Sequence, residues 1–244
     1  MCPQFKATTL DPGGFSEYVR VPETHVKNVV FPIPENLSDQ EACFMEPLAC
    51  CWRNIKRLNL QKGDTVIIIG LGSIGQLLQQ LVRYQGATPI GIELDAARRD
   101  VAQALGYSDC YTGKEPDFRQ KLDQATGGRG ADAVVVTAGN PALVPTAISW
   151  LRDGGTLNIF ASFHPESEVQ LDWNTFYYRE INVVTTYSPS PLDLKEALGL
   201  IADGHVRVKS LAQHLYPLER FSEALQALQN KAILKAIMVP HANG

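Results

Sequence analysis

The chain has 244 residues, 45% hydrophobic and 20% charged, with a formal net charge of −4. That balance excludes a disordered or fibrous chain, and the acidic surplus excludes the basic stripe a nucleic-acid partner requires. No apolar run approaches the ~18 residues of a membrane span, the first residues lack a signal-peptide pattern, and five cysteines, with Cys50 and Cys51 adjacent, read as reduced thiols of a cytoplasmic protein.

The first 45 residues are rich in turn formers. Asp11-Pro12-Gly13-Gly14 is a turn signal. The alternation of Phe15 to Val21 predicts a half-buried strand. Residues 29–34 read as an extended, proline-punctuated stretch, and Ser38 to Glu41 has the spacing of a helix-opening capping box. From residue 46 the texture changes. Helical spacing over 46–60 ends at Gly63-Asp64, and then short β-branched runs alternate with amphipathic segments. The predicted strands are 65–69, 89–93, 110–111, 131–136, 156–160 and 182–186. The predicted helices are 74–83, 96–105, 118–126 and 143–150, with a shorter piece near 172–178. Six strands in this rhythm predict an α/β doubly wound parallel sheet with helices on both faces. The rhythm stops at Ser188-Pro189-Ser190-Pro191. Two helical patterns (192–202, 221–228) and a last strand (234–239) follow, in a tail expected to pack with residues 1–45.

Gly70-Leu71-Gly72-Ser73-Ile74-Gly75 fits G-x-G-x-x-G between a buried strand and a helix. Its glycines allow a tight turn, close approach of a pyrophosphate, and close helix–strand packing. The helix N-terminus, with Ser73 and Ile74 in its first turn, offers free N–H groups to the phosphates. Glu93 closes the next strand 18 positions past Gly75, near the ~20 expected of a carboxylate that binds the adenosine ribose and favours NAD over NADP. Arg98 or Arg99 stands at the adenine end. Methyltransferases use a similar turn and acid, but their sheets end in an antiparallel hairpin, whereas the later runs here read as parallel strands.

Pro12 to Tyr18, Glu46-Pro47-Leu48-Ala49-Cys50, Gly63 to Val66 and Gly70 to Gly75 together resemble the zinc-dependent medium-chain alcohol dehydrogenases, in the branch of sorbitol and L-threonine dehydrogenases. The tail at Arg179 to Ile181, Tyr187 to Pro191 and Leu215 to Ala224 agrees, so the resemblance runs along essentially the whole chain. It implies a Rossmann NAD-binding domain at 46–187 and a partial GroES-like β domain for the substrate at 1–45 and 188–244. It implies hydride transfer from a secondary alcohol to NAD, with zinc as a Lewis acid. A homodimer or homotetramer is expected, through the coenzyme-domain sheet edge or through apolar surface on residues 15–33 and 234–239. The loops after strands four to six, with Thr137 and Ala138, Phe160 and Ala161, and Tyr187, are expected to line the coenzyme.

The family's catalytic zinc is held by a Cys, a His and a Glu or Cys, and of these motifs only the last is present, as Glu46. Cys2 resembles one cysteine of the structural-zinc lobe, without its partners. The chain therefore reads as a member lacking the first part of its substrate domain. Because a catalytic zinc needs three protein ligands, stoichiometric zinc and ordinary turnover are not expected. A makeshift site from Cys43, Glu46 and Cys50 is weighed against a helix carrying buried thiols. Arg179 is a candidate partner for Glu46, and His164 lies just past strand five. The alternatives to a dehydrogenase are a non-catalytic NAD-binding module and a zinc-free enone reductase. Glu46 and Glu93 count against the reductase.

Overall fold

The computed structural model describes residues 10–240, so Cys2 lies outside the described residues. Two compact units form, one from Met1–Phe44 and Val208–Gly244, the other from Met45–Arg207.

The first unit begins with little regular structure. The strand expected over 15–21 is absent. A single antiparallel bridge joins Asp11 to Arg20, beside an exposed ion pair at 2.8 Å between their side chains. Alternation alone does not make a strand, because the backbone still needs a partner to take its hydrogen bonds. Ser16 instead turns the chain locally, its Oγ donating to the carbonyls of Gly13 and Tyr18. Helix α1 (Glu23–Val29) was not anticipated, and a Glu23–Lys27 pair one turn apart supports it. Helix α2 (Asp39–Ala42) carries the expected capping box, with Ser38 and Glu41 bonding reciprocally.

The second unit holds the sheet. Helix α3 (Met45–Leu58) leads into β1 (Thr65–Ile69), α4 (Ser73–Tyr84), β2 (Thr88–Ile92), α5 (Ala96–Ala104), β3 (Cys110–Tyr111), α6 (Phe118–Thr126) and β4 (Ala131–Val136). Then come α7 (Leu143–Trp150), β5 (Leu151–Ile159), α8 (Trp173–Arg179), β6 (Asn182–Thr185) and α9 (Pro191–Ala202). The six strands are parallel in the order β3-β2-β1-β4-β5-β6. This is a Rossmann sheet, with the strand order reversing between β1 and β4. Every residue of β1 and of β4 is buried, as continuous Val/Ile/Ala runs covered on both faces require. One cluster fills a face of the sheet, including Ile67, Ile90, Val134, Leu122 and Leu157. β5 starts five residues earlier than expected, directly at the end of α7.

The outer edge of β2 is handled by sequence. β3 pairs only with Gly91 and Ile92. Thr88 N–H donates inward to Asp64, while Gly91 N–H donates outward to Asp109. By alternation the outward donor two residues before Gly91 would belong to Pro89, which has none.

The unit boundary expected near residue 188 lies instead after Arg207. Helix α9 belongs with α3, because Asp193, almost fully buried, takes Lys56 at 2.6 Å and Arg53 at 3.4 Å. Trp52 and Lys56 both donate to Glu196 at 2.6 Å. The tail of the first unit contains β7 (Leu215–Pro217), α10 (Phe221–Gln229) and β8 (Ile237–Val239), and β7 pairs with β8 in parallel.

Candidate functional site

The glycine turn sits at the carboxyl end of β1, where the sheet order reverses. Gly70 has φ +99°, a conformation side chains rarely adopt. A β-carbon on Gly75 would lie 2.0 Å from the Gly70 carbonyl oxygen, so the helix can approach the strand only because the residue is glycine. Gly72 is different. It caps α4 with φ −65°, and a β-carbon there would meet only Arg98 Nη1, at 3.8 Å. The space above Gly72 is therefore open, at the N-terminus of a 12-residue helix begun by Ser73 and Ile74. That is the geometry that receives a diphosphate.

Glu93 closes on this turn. Its Oε2 accepts the Leu71 N–H at 2.9 Å and its Oε1 accepts the Asp95 N–H at 3.1 Å. Arg98 Nη1 stands 3.6 Å from Glu93 Oε2, while Arg98 Nε is buried with no partner. Arg99 is already engaged, donating to the carbonyls of Glu93 and Leu94. Of the two arginines expected at the adenine end, Arg98 is the one with unspent donor capacity over the turn.

The later loops close from the other side. Thr137 N–H donates to Ile69 O at 3.0 Å, and Thr137 Oγ1 lies 2.9 Å from the same carbonyl and 3.1 Å from Gly70 O. Ala138 follows it, half-buried beside the turn. The amides of Phe160 and Ala161 both reach Val136 O, at 3.0 and 3.2 Å. Tyr187 is exposed past β6, and Ser188 next to it has φ +60°. Beneath the ends of β5 and β6 lies a fully buried amide pair. Asn54 Oδ1 accepts from Asn158 Nδ2 at 2.7 Å and from Thr186 Oγ1 at 2.9 Å. Asn54 Nδ2 and Asn158 Oδ1 have no partner.

Two predicted features are placed differently. Arg179 does not meet Glu46. It pairs with Asp153 at 2.8 Å and donates to the carbonyls of Ile148 and Leu151, pinning α8 to the amino-terminal end of β5. Glu46 is exposed, and Cys50 one turn along α3 donates to it at 3.3 Å. Burial, helped by the Glu46 carboxylate, pushes the Cys50 thiol up to about 12, so it keeps its proton at neutral pH. Among the described residues no three His, Cys, Asp or Glu are grouped to hold a metal ion, and Cys43 stays exposed on the other unit. The donors among the described residues do not fit a catalytic zinc, which needs three protein ligands. His164 is a loop residue whose Nδ1 accepts from Glu166 N–H at 3.4 Å.

The reading of the sequence missed the glutamines of α4. Gln76, Gln79 and Gln80 are all buried. Polar side chains at i, i+3 and i+4 on the face an amphipathic pattern gives to the core were the available signal.

A family model described as zinc-binding dehydrogenase matches residues 73–203. The sorbitol dehydrogenase of Bacillus subtilis is 30% identical over 246 residues, covering 99% of this chain and 68% of that protein. The chain belongs to the zinc-binding dehydrogenase family. Another relative, the sorbitol dehydrogenase of Halalkalibacterium halodurans, is 29% identical and is matched over 93% of this chain and 66% of its own length. Among solved structures, the alcohol dehydrogenase from Thermus sp. ATN1 superposes with a TM-score of 0.84 at 22% identity, over 94% of this chain and 66% of that one. That likeness shows the fold. A zinc-binding dehydrogenase from Sinorhizobium meliloti bound to NADP superposes with a TM-score of 0.80 at 26% identity, over 93% of this chain and 66% of that one. The chain thus spans about two thirds of the length of the relatives it matches.

Proposed function

We propose that this chain holds NAD for a dehydrogenase that oxidises a secondary hydroxyl of a small alcohol or polyol, with Met45–Arg207 as the coenzyme domain and the other unit as part of a GroES-like substrate domain. The observation that carries the reading is the glycine turn. Gly75 is packed where no β-carbon fits, Gly72 is open, and Glu93 is bonded to the Leu71 amide. The turn amides and the start of α4 receive the diphosphate. Glu93 takes the adenosine ribose hydroxyls, and Arg98 covers the adenine end. Thr137, Ala138, Phe160, Ala161 and Tyr187 border the path toward the nicotinamide. Bound NAD supplies a hydride acceptor, and the chain's own residues orient it and shield it from water. The relatives named as sorbitol and D-arabinitol dehydrogenases support a polyol substrate class.

Calorimetry tests this reading directly. NADH is expected to bind with an affinity that Glu93→Ala weakens by roughly tenfold, the loss of one charge-assisted interaction. NADPH is expected to bind more weakly than NADH to the parent chain, because a 2′-phosphate would face the Glu93 carboxylate. No heat with either coenzyme refutes the reading.

One observation favours a second reading, a non-catalytic NAD-binding module. Among the described residues Glu46 and Cys50 are two donors where a catalytic zinc needs three. Assay of sorbitol oxidation separates the two readings. We also propose a cytoplasmic protein that associates as a dimer or larger. No described helix is long and apolar enough to cross a membrane. Val183 on the edge strand β6, and Trp173, Tyr177 and Tyr178 on α8 before it, are exposed apolar side chains of the kind that association buries. Light scattering that finds a monomer at micromolar concentration overturns the assembly.

A further inference from the structure

Leu71, in the glycine turn, has both its N–H and its C=O bonded by side chains. Its N–H is taken by Glu93 and its C=O by Gln76 Nε2, at 3.0 Å. The same Gln76 Nε2 also reaches Arg98 O, on α5, at 3.0 Å. The Gln76 side chain is fully buried, and its Oε1 accepts from Gln79 Nε2 at 3.3 Å. Gln79 Oε1 in turn lies 3.7 Å from the Cys110 thiol of β3, whose one hydrogen is shared with Tyr107 O at 3.5 Å. Burial pushes that thiol up to about 11, so it carries a proton to donate. The chain of donors has one direction. Gln79 gives to Gln76, and Gln76 to the two carbonyls. Neither amide can flip without setting two acceptors or two donors face to face, so the direction of each carboxamide is fixed.

We propose that Gln76 is the positioning residue of the adenosine half of the coenzyme site. Its carboxamide bridges the glycine turn to helix α5, and thereby sets Glu93 and Arg98 in register with the Leu71 amide before any ligand arrives. The proposal rests on the NAD-binding reading. Leucine in place of Gln76 keeps the volume and the helix propensity but cannot bond Leu71 O or Arg98 O. The turn and α5 then lose their common tie, and the ligand must order them on binding.

Gln80 provides the control, because it is as buried as Gln76 and lies on the same helix. Its amide bonds Arg207, accepting that residue's N–H at 2.7 Å and reaching its O at 3.1 Å, and meets the Gln76 backbone carbonyl on its own helix at 3.3 Å, but bonds neither the turn nor α5. The test titrates the parent chain, Gln76→Leu and Gln80→Leu with three probes, NADH, ADP-ribose and reduced nicotinamide mononucleotide, and measures urea unfolding of each. Gln76→Leu is expected to bind NADH and ADP-ribose roughly five- to tenfold more weakly, by the same factor, and the mononucleotide unchanged. Gln80→Leu is expected to lose stability without any change in affinity. A purely structural role for Gln76 would move all three ligands together or none. If the parent binds NADH and Gln76→Leu binds it and ADP-ribose equally well, the proposal falls. If the parent binds none of the probes, the NAD-binding reading falls with it. Should Gln76→Leu fail to fold, Gln79→Leu tests the same bridge one link back, with a smaller loss confined to the same two ligands expected. No loss there overturns the proposal.

Discussion

Alanine at Gly75 and alanine at Gly72 add the same methyl group three residues apart, yet the structure expects opposite outcomes. At Gly75 the new carbon would stand 2.0 Å from the Gly70 carbonyl oxygen and 2.9 Å from its carbon. Both obstacles are backbone, at a turn whose own φ is fixed, so no rotamer change relieves them. Overpacking in ordinary cores costs about 1–3 kcal/mol, and a clash with main chain belongs at the top, at about 3 kcal/mol. With a slope of ~2 kcal/mol/M, Gly75→Ala is expected to lower the urea midpoint by about 1.5 M. At Gly72 nothing lies nearer than 3.8 Å, and φ is already ordinary for alanine. Its cost is therefore that of a poorer helix cap, below about 1 kcal/mol. The methyl would stand, however, where a diphosphate must approach the amides. Gly72→Ala is expected to keep its midpoint while NADH affinity falls by more than about tenfold. Urea unfolding and calorimetry on both variants supply the readout. Gly75→Ala within about 1 kcal/mol of the parent, or Gly72→Ala binding NADH as the parent does, would refute the account of this turn.

Asp193 carries a pH-dependent contribution. Burial alone would raise its pKa, but Lys56 and the Ser190 hydrogen bonds pull it down to about 2 from 3.8. A depressed carboxylate contributes stability that is complete above its unfolded value and is lost as pH falls through the folded one. The shift is worth roughly 2 kcal/mol at pH 7, so Asp193→Asn is expected to lose about that much in urea unfolding. The gap should close as the pH drops from 3.8 towards 2, and a gap independent of pH contradicts the assignment. Asp132 is nearly buried, accepts Thr65 N–H at 2.8 Å and pairs with Arg152 at 2.5 Å. Asp132→Ala orphans the buried Thr65 amide and takes the carboxylate from Arg152, which keeps its bond to the Asp153 carbonyl, and is expected to cost about 2 kcal/mol in thermal or urea unfolding while NADH affinity of the folded chain is unchanged.

The parts legible in the sequence were those set by local repetition. Runs such as Val66 to Ile69 and Val134 to Val136 can only be strands covered on both faces, and the helices at 118–126 and 143–150 stand where the apolar spacing put them. The glycine turn was legible for the same reason, since each glycine answers a local steric demand. What escaped depends on partners far along the chain. Phe15 to Val21 has a strand's alternation, but among the described residues only Asp11 bridges to it. Arg179 was paired with Glu46 on charge alone, whereas α8 carries it to Asp153 and two carbonyls. Gln76 carries no motif, and its role arises from two carbonyls that meet only once α4 and α5 are packed.

The two rims of the parallel sheet are chemically unequal, and this decides the direction in which it could be extended. On one rim, β3 is a two-residue stub, and Pro89 withholds the hydrogen that an incoming strand would seek. On the other, β6 offers four residues with ordinary amides and no proline. Any lengthening of the sheet by a neighbouring molecule is therefore one-sided, and an assembly built that way closes at a pair instead of running on into a filament.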